Sequence, residues 1–252
     1  MKPHRACICV RKCLTKGTAM LLNNFEAILF DCDGTLVDTE YVNAQSIVET
    51  LKMNNWGEVT IDYVLEHWTG HSTAFILTAL QEKICRDIPD NFFDFTIDIG
   101  IKLLPTMMRP IDDVLPFVKT LHEMKKPIAV GSNGSKPSVF ASLEAGGFRP
   151  YFPDRLICTR HDVKWGKPAP ELYFLAAERL GVDVTKCLII EDSPTGTEAG
   201  IAAGATVWGF IGMAHDKKKV RASVEAEGAH RIFESYKDIA DALGVQLQKQ
   251  AA

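Results

Sequence analysis

Phe25-Glu26-Ala27-Ile28-Leu29-Phe30-Asp31-Cys32-Asp33-Gly34-Thr35 is the stretch on which the fold turns. Its apolar run Ala27–Phe30 is the length of a buried strand, and it stops abruptly at two acids and a glycine. The same pattern recurs. Ile128–Val130, Leu156–Cys158, Cys187–Ile190 and Thr206–Phe210 are short apolar runs, each ending in polar or glycine residues. Helical patterns lie between them, near Pro110–Met124, Pro137–Ala145, Pro170–Leu180 and Pro194–Ala203. Leu172, Leu175, Ala176 and Leu180 share one face of the third, while Ser193 and Pro194 mark the start of the fourth. Strand and helix in steady alternation predict an α/β fold with a parallel sheet covered on both faces.

The span from Phe30 to Ile128 is far longer than one crossover needs. The stretch Thr39–Met108 reads as mostly helical, with segments Ala44–Met53, Ile61–Trp68 and Thr73–Cys85, and with Pro105 and Pro110 at its exit. The expected organisation is a core of residues 20–38 and 109–252, interrupted by a helical domain of residues 39–108.

Ligands of doubly wound sheets bind beyond the carboxyl ends of the strands. The residues after each run are therefore expected to converge. Asp31 and Asp33, two residues apart, favour a bound cation or a split into one ionised and one protonated carboxyl. A carboxylate is also able to attack phosphorus. Gly34 lets the backbone turn and approach a ligand closely. Ser132, in Gly131-Ser132-Asn133-Gly134, offers a hydroxyl and nearby N–H groups to a phosphate oxygen. Lys167, in Trp165-Gly166-Lys167-Pro168, offers one positive charge. Glu191-Asp192 follows the fourth run and completes a metal site or merely caps the next helix. Each of the last three signals is weak alone, and their order and shared strand-end position give them weight together.

Composition sets the outer limits. The 252 residues are 46% hydrophobic and 24% charged, as in an ordinary globular protein. No apolar run approaches a membrane span, and a net charge of -4 argues against nucleic acid held by bulk charge. Lys2, Arg5, Arg11, Lys12 and Lys16 lie in the first nineteen residues, which hold no acid, leaving 23 of the 28 basic residues against 32 acids in the rest. Residues 1–19 are expected to be a flexible extension, with Met20 an alternative start. Organelle targeting by this segment is the less favoured reading beside a cytoplasmic location. Seven cysteines, an odd number, fit a reducing compartment. Cys7, Cys9 and Cys13 lack the spacing of common zinc sites.

The four strand-end motifs, in this order, resemble the haloacid dehalogenase superfamily, in the subfamily with a helical cap inserted after the first strand. The likeness covers about Phe25 to Gly244 and lies with the phosphatase and β-phosphoglucomutase branch. It implies a Rossmann-like, doubly wound core under a helical cap. Asp31 would be nucleophile and metal ligand. Asp33 would be the general acid and base, with its carbonyl on the metal. Gly34, Ser132, Asn133 and Lys167 would form the phosphate-binding set. Asp31, Asp33, Glu191 and Asp192 would form the metal set, with Mg²⁺ as cofactor. The cap loop Thr69-Gly70-His71-Ser72 would face the site and read the substrate through Gly70, His71 and Ser72. Dehalogenases of the superfamily lack the metal-binding carboxylates and the second motif aspartate.

The expected function is a Mg²⁺-dependent phosphatase acting on a small phosphorylated metabolite (a sugar phosphate, phosphoglycolate or nucleotide) through an aspartyl-phosphate. The alternatives are a sugar-phosphate mutase of the β-phosphoglucomutase kind and a non-catalytic phosphate-binding regulatory protein. No nucleic-acid or membrane partner is expected, and a monomer is favoured. His161, His215 and the Lys217–Lys219 run read as surface. Trp68 and Trp165 read as packing residues.

Overall fold

The computed structural model describes residues 21–68 and 73–247. Six strands form one parallel sheet among these residues: β1 (Ala27–Phe30), β2 (Ile128–Gly131), β3 (Ile157–Cys158), β4 (Cys187–Glu191), β5 (Thr206–Phe210) and β6 (Arg231–Phe233), in the order β3-β2-β1-β4-β5-β6. This is the doubly wound, Rossmann-like order. The chain leaves β1 toward β2 on one side and later returns to β4 on the other, so the crevice lies at the ends of β1 and β4.

The alternation of side chains along β1 builds two cores. Ile28 and Phe30 face a cluster with Phe117 and Leu121 of α5 (Val114–Glu123) and Tyr236, Ile239 and Leu243 of α10 (Tyr236–Leu243). Ala27 and Leu29 face a cluster with Leu172, Tyr173 and Ala176 of α7 (Glu171–Leu180) and Ala199 of α8 (Pro194–Ala202). Small residues let α8 approach the sheet closely. A Cβ on Gly200 would stand 2.6 Å from Val207 Cγ2. Leu29 is fully buried, and its truncation to alanine is expected to cost about 2–5 kcal/mol.

Hydroxyl caps start the two helices nearest the crevice. Ser135 accepts from the Ser138 N–H at 3.3 Å ahead of α6 (Lys136–Ala145), and Ser193 accepts from the Gly196 N–H at 3.1 Å ahead of α8. Proline occupies the first turn of each, where its missing N–H costs nothing.

Four helices stand between β1 and α5: α1 (Glu40–Met53), α2 (Ile61–His67), α3 (Thr73–Ile84) and α4 (Phe92–Met107). They share a core of their own, with Ile47, Leu51, Val64, Trp68, Leu80 and Phe92 among its members. The two connections to the sheet run side by side, where Asp38 and Arg109 form an antiparallel bridge. α4 packs on α1 and also on α6, so the helical insert rests on the rest of the fold.

Several boundaries differ from the expectation. Pro105 lies inside α4, in its last turn, where the one hydrogen bond it removes leaves a helix already about to end. α5 starts at Val114, not near Pro110, because Asp113 takes a left-handed conformation at φ 63°. Leu156 ends a 3₁₀ turn ahead of β3. α4, α9 (Lys217–Ala226), α10 and β6 were not singled out in the sequence. α9 has one buried residue, Val224, so it carries no apolar stripe. Lys217–Lys219 is exposed on its first turn. Of the four cysteines described, all are free; Cys32, Cys158 and Cys187 are buried, but Cys85 is exposed. Cys7, Cys9 and Cys13, with the rest of residues 1–19, lie outside the described residues. Among the described residues, no helix is long and apolar enough to cross a membrane.

Candidate active site

The ends of β1, β2 and β4 and the loop after β3 bring the strand-end residues together. Lys167 is buried between two carboxylates, with Nζ 2.5 Å from Asp31 Oδ1 and 2.5 Å from Glu191 Oε1. Burial works against the ammonium charge, but the two carboxylates outweigh it and hold its pKa well above the usual range.

Glu191 is saturated with donors. Oε1 accepts from Lys167 and from Tyr173 Oη at 2.7 Å. Oε2 accepts from the Asp192 and Ser193 N–H groups and the Ser193 hydroxyl at 3.0–3.2 Å. The first turn of α8 closes on this carboxylate so tightly that a Cβ on Gly196 would lie 1.7 Å from Oε1.

Carboxylate oxygens of Asp31, Glu191 and Asp192 lie within 4.8 Å of one another, an oxygen-only group able to hold a metal ion. Hard divalent cations take such ligands. Burial and their mutual repulsion show in their acidities. Burial, opposed by Lys167 and reinforced by Glu191 and Asp33, raises Asp31 to about 7. Burial, then Asp31 and Glu191, raises Asp192 well above the carboxylate range. Gly34 has φ 80°, and a Cβ there would stand 2.0 Å from Asp192 Oδ2. Any side chain at Gly34 would thus displace this carboxylate.

Asp33 stands apart from that group. Its Oδ1 accepts from Thr39 Oγ1 at 2.7 Å, and its Oδ2 lies 3.6 Å from the Cβ position of Gly134. Burial raises its pKa, with Thr39 and Lys167 pulling the other way. Between the aspartates, Cys32 is buried with its thiol pKa pushed well up, first by desolvation and then by both acids, so it stays protonated.

Ser132 is buried, and its Oγ accepts from the Gly134 N–H at 3.0 Å. The Asn133 amide is committed to the Lys167 backbone: Nδ2 donates to the Lys167 carbonyl at 3.0 Å and Oδ1 accepts from its N–H at 2.8 Å. Asn133 therefore positions Lys167 through its side chain. Gly70, His71 and Ser72 lie outside the described residues.

A cavity of about 400 Å³ opens from Asp33 between the sheet ends and the helical insert. Val42, Ile47, Ile76, Phe93, Ile97 and Leu104 supply an apolar wall from the insert. Asn133, Ser135, Ser138, Arg160 and His161 supply a polar wall from below. His161, expected on the surface, is exposed and also lines this cavity. Trp68 is buried in the insert as expected, whereas Trp165 is exposed beside the Lys167 loop. Tyr173, Thr39, Gly196 and Arg160 are site residues that the sequence reading missed. Ser193-Pro194-Thr195-Gly196 carried a signal for one of them, since a small residue two places into a capped helix leaves room for a group beneath it.

Residues 25–204 match the family model of haloacid dehalogenase-like hydrolases. The chain belongs to this family. It is thus a hydrolase, and its curated relatives include named phosphatases. The chain is 28% identical over 207 residues to the 6-phosphogluconate phosphatase of Escherichia coli, spanning 81% of this chain and 90% of that one. It is 31% identical over 192 residues to a fructose-1-phosphate phosphatase of the same organism, spanning 73% and 95%. A crystal structure of a family hydrolase from Deinococcus radiodurans R1, with bound phosphate and sodium, superposes with a TM-score of 0.71 at 29% identity, covering 88% of this chain and 96% of that one.

Proposed function

We propose that the protein is a Mg²⁺-dependent phosphoric monoester hydrolase acting on a small phosphorylated metabolite, with Asp31 as nucleophile. The observation that carries this reading is the buried Asp31–Lys167–Glu191 arrangement beside Asp192, with a second carboxyl, Asp33, facing the cavity. The named relatives favour phosphate esters of small polyols as the class of substrate, and they differ among themselves in the leaving group.

The residues fit Mg²⁺ because every side-chain donor is a carboxylate oxygen and burial leaves the group short of positive charge. Glu191 already serves five donors, so Asp31 and Asp192 are the side chains left to hold the ion, joined by the Asp33 carbonyl. Bound there, Mg²⁺ would offset the repulsion between anionic ester and carboxylate and stabilise charge on the equatorial oxygens.

Asp31 attacks phosphorus in line with the leaving oxygen and becomes an aspartyl-phosphate. Lys167 and Ser132 hold the non-bridging oxygens. Asp33, with its raised pKa, keeps a proton for the leaving oxygen and then takes one from the water that cleaves the acyl phosphate. Thr39 fixes the direction of that carboxyl. Residues 39–108 act as a cap, whose apolar wall excludes bulk water and selects the leaving group.

The test is phosphate release from sugar phosphates, phosphoglycolate and nucleotides, with wild type and Asp31→Asn in Mg²⁺ and in EDTA. Release that needs Mg²⁺ and vanishes in Asp31→Asn is expected. Release that survives either change would sink the assignment.

A further inference from the structure

The cavity that begins at Asp33 ends at the loop after β3, and that loop is built to hold its side chains still. Thr159 donates from both N–H and Oγ1 to Asp162 Oδ2 at 2.8 Å. Asp162 Oδ1 in turn pairs with Arg179 at 3.1 Å. Between these clamps lie Arg160 and His161, both exposed and both lining the cavity. Asp33, the proposed acid, is half-buried and lines the same cavity.

Arg160 is fixed along its length. Its N–H donates to the Gly134 carbonyl at 3.3 Å, and its Nη1 donates to the Val163 carbonyl at 2.9 Å. Its stem crosses Gly166, where a Cβ would meet Arg160 Cδ at 2.7 Å. Among the described residues no carboxylate lies within 4 Å of this guanidinium, whereas Arg149, Arg179 and Arg221 each have one. Among the described residues that line the cavity, it and His161 are the basic ones. His161 Nδ1 accepts from the Lys136 N–H at 3.2 Å, which leaves the ring proton on Nε2 as a donor.

We propose that Arg160 and His161 recognise a carboxylate at the end of the leaving group remote from the phosphate, making the substrate a phosphorylated polyol acid. This rests on the phosphatase reading above. Among the described residues the charge count favours a carboxylate over a second phosphate. One guanidinium with no carboxylate partner and one ring N–H donor match a monoanion with two oxygens, and the described residues of the cap wall add no cation for a dianion. Ser135 and Ser138 line the same wall.

A matched set of esters separates the outcomes. 6-Phosphogluconate and glucitol 6-phosphate share one carbon chain and differ only in a carboxylate or an alcohol at the far end. Glucose 1,6-bisphosphate carries a second phosphate, and p-nitrophenyl phosphate carries no distal polar chain. Wild type is expected to favour 6-phosphogluconate over glucitol 6-phosphate in kcat/KM by about 10- to 100-fold, the range of a charge-assisted hydrogen bond. Arg160→Ala should collapse that preference through KM, with kcat retained, and Arg160→Lys should restore part of it. His161→Ala should reduce it less, since it leaves the guanidinium in place. Equal rates for the matched pair, a bisphosphate preferred to both, or an Arg160→Ala loss of the same size on every ester would each overturn the inference while leaving the phosphatase reading intact. Absence of Mg²⁺-dependent release from all four esters would overturn both.

Discussion

At the end of β4, both side-chain oxygens of Glu191 are fully partnered, whereas the helical insert above presents Val42, Ile76, Phe93 and Ile97 to an open cavity. The floor of the site is a buried electrostatic network centred on Lys167 and Glu191. The roof is a largely apolar surface, with Asn43, Ser46 and Thr96 also on the cavity; it has its own small core and is joined to the sheet by two adjacent connections. The contrast teaches where each kind of change acts. A floor residue cannot be altered without leaving a buried charge unpaired, while a roof residue changes shape at modest cost to the fold. The proposed chemistry thus rests on the floor, and the fit of the leaving group's apolar surface on the roof, with Arg160 and His161 at the edge of the floor for its charged end.

The largest effect is expected at the floor. Lys167→Met leaves Asp31 and Glu191 without their buried cation. We expect a stability loss of about 3–5 kcal/mol by urea unfolding, and a fall in phosphate release of about 10²–10³-fold. A variant of unchanged stability would mean that the network is not the rigid unit described.

A smaller effect is expected from pH and metal together. Burial raises Asp31 from 3.8 to about 7, so folding favours its neutral form. The stability this supplies is complete below about pH 4 and is lost as pH rises through about 7, because the unfolded chain releases the proton first. A cation replaces the proton. The gain in Tm on adding Mg²⁺ should therefore grow between about pH 5 and pH 8. A gain that shrinks over this range would contradict the site's charge balance.

The smallest effect is expected at the roof. Ile97 is half-buried on the cavity wall. Ile97→Ala should cost less than about 2 kcal/mol in stability, yet shift relative kcat/KM among sugar phosphates by about 10-fold. A uniform loss on all substrates would blur the division between layers.

The same division decided what was legible in the sequence. Asp31, Ser132 and Asp192 stood out as candidates because they directly follow buried strands, where a polar residue has few places to go, whereas Lys167 lies well beyond β3 and drew its weight from the order of the motifs. Thr39 and Tyr173 did not stand out. Tyr173 acts on Glu191, 18 positions along the chain, and Thr39 on Asp33, 6 positions back, and the neighbourhood of each looks like an ordinary helix or helix start. Asn133 was read as a phosphate ligand, but its amide is engaged by the Lys167 backbone, a pairing across 34 positions that no local pattern encodes. α10 was legible in principle, since Tyr236, Ile239, Ala240 and Leu243 form a stripe after the Ser235 cap. β6 was not, being three residues at the sheet edge with an exposed first position.

The central claim is that Asp31 carries the phosphoryl group between two half-reactions. The most direct measurement is acid quenching during turnover, followed by mass spectrometry of the peptide that contains Asp31. A phosphoryl adduct on that peptide in wild type, and none in Asp31→Asn, is the predicted result. Turnover by Asp31→Asn at the wild-type rate, or an adduct on another residue, would contradict it.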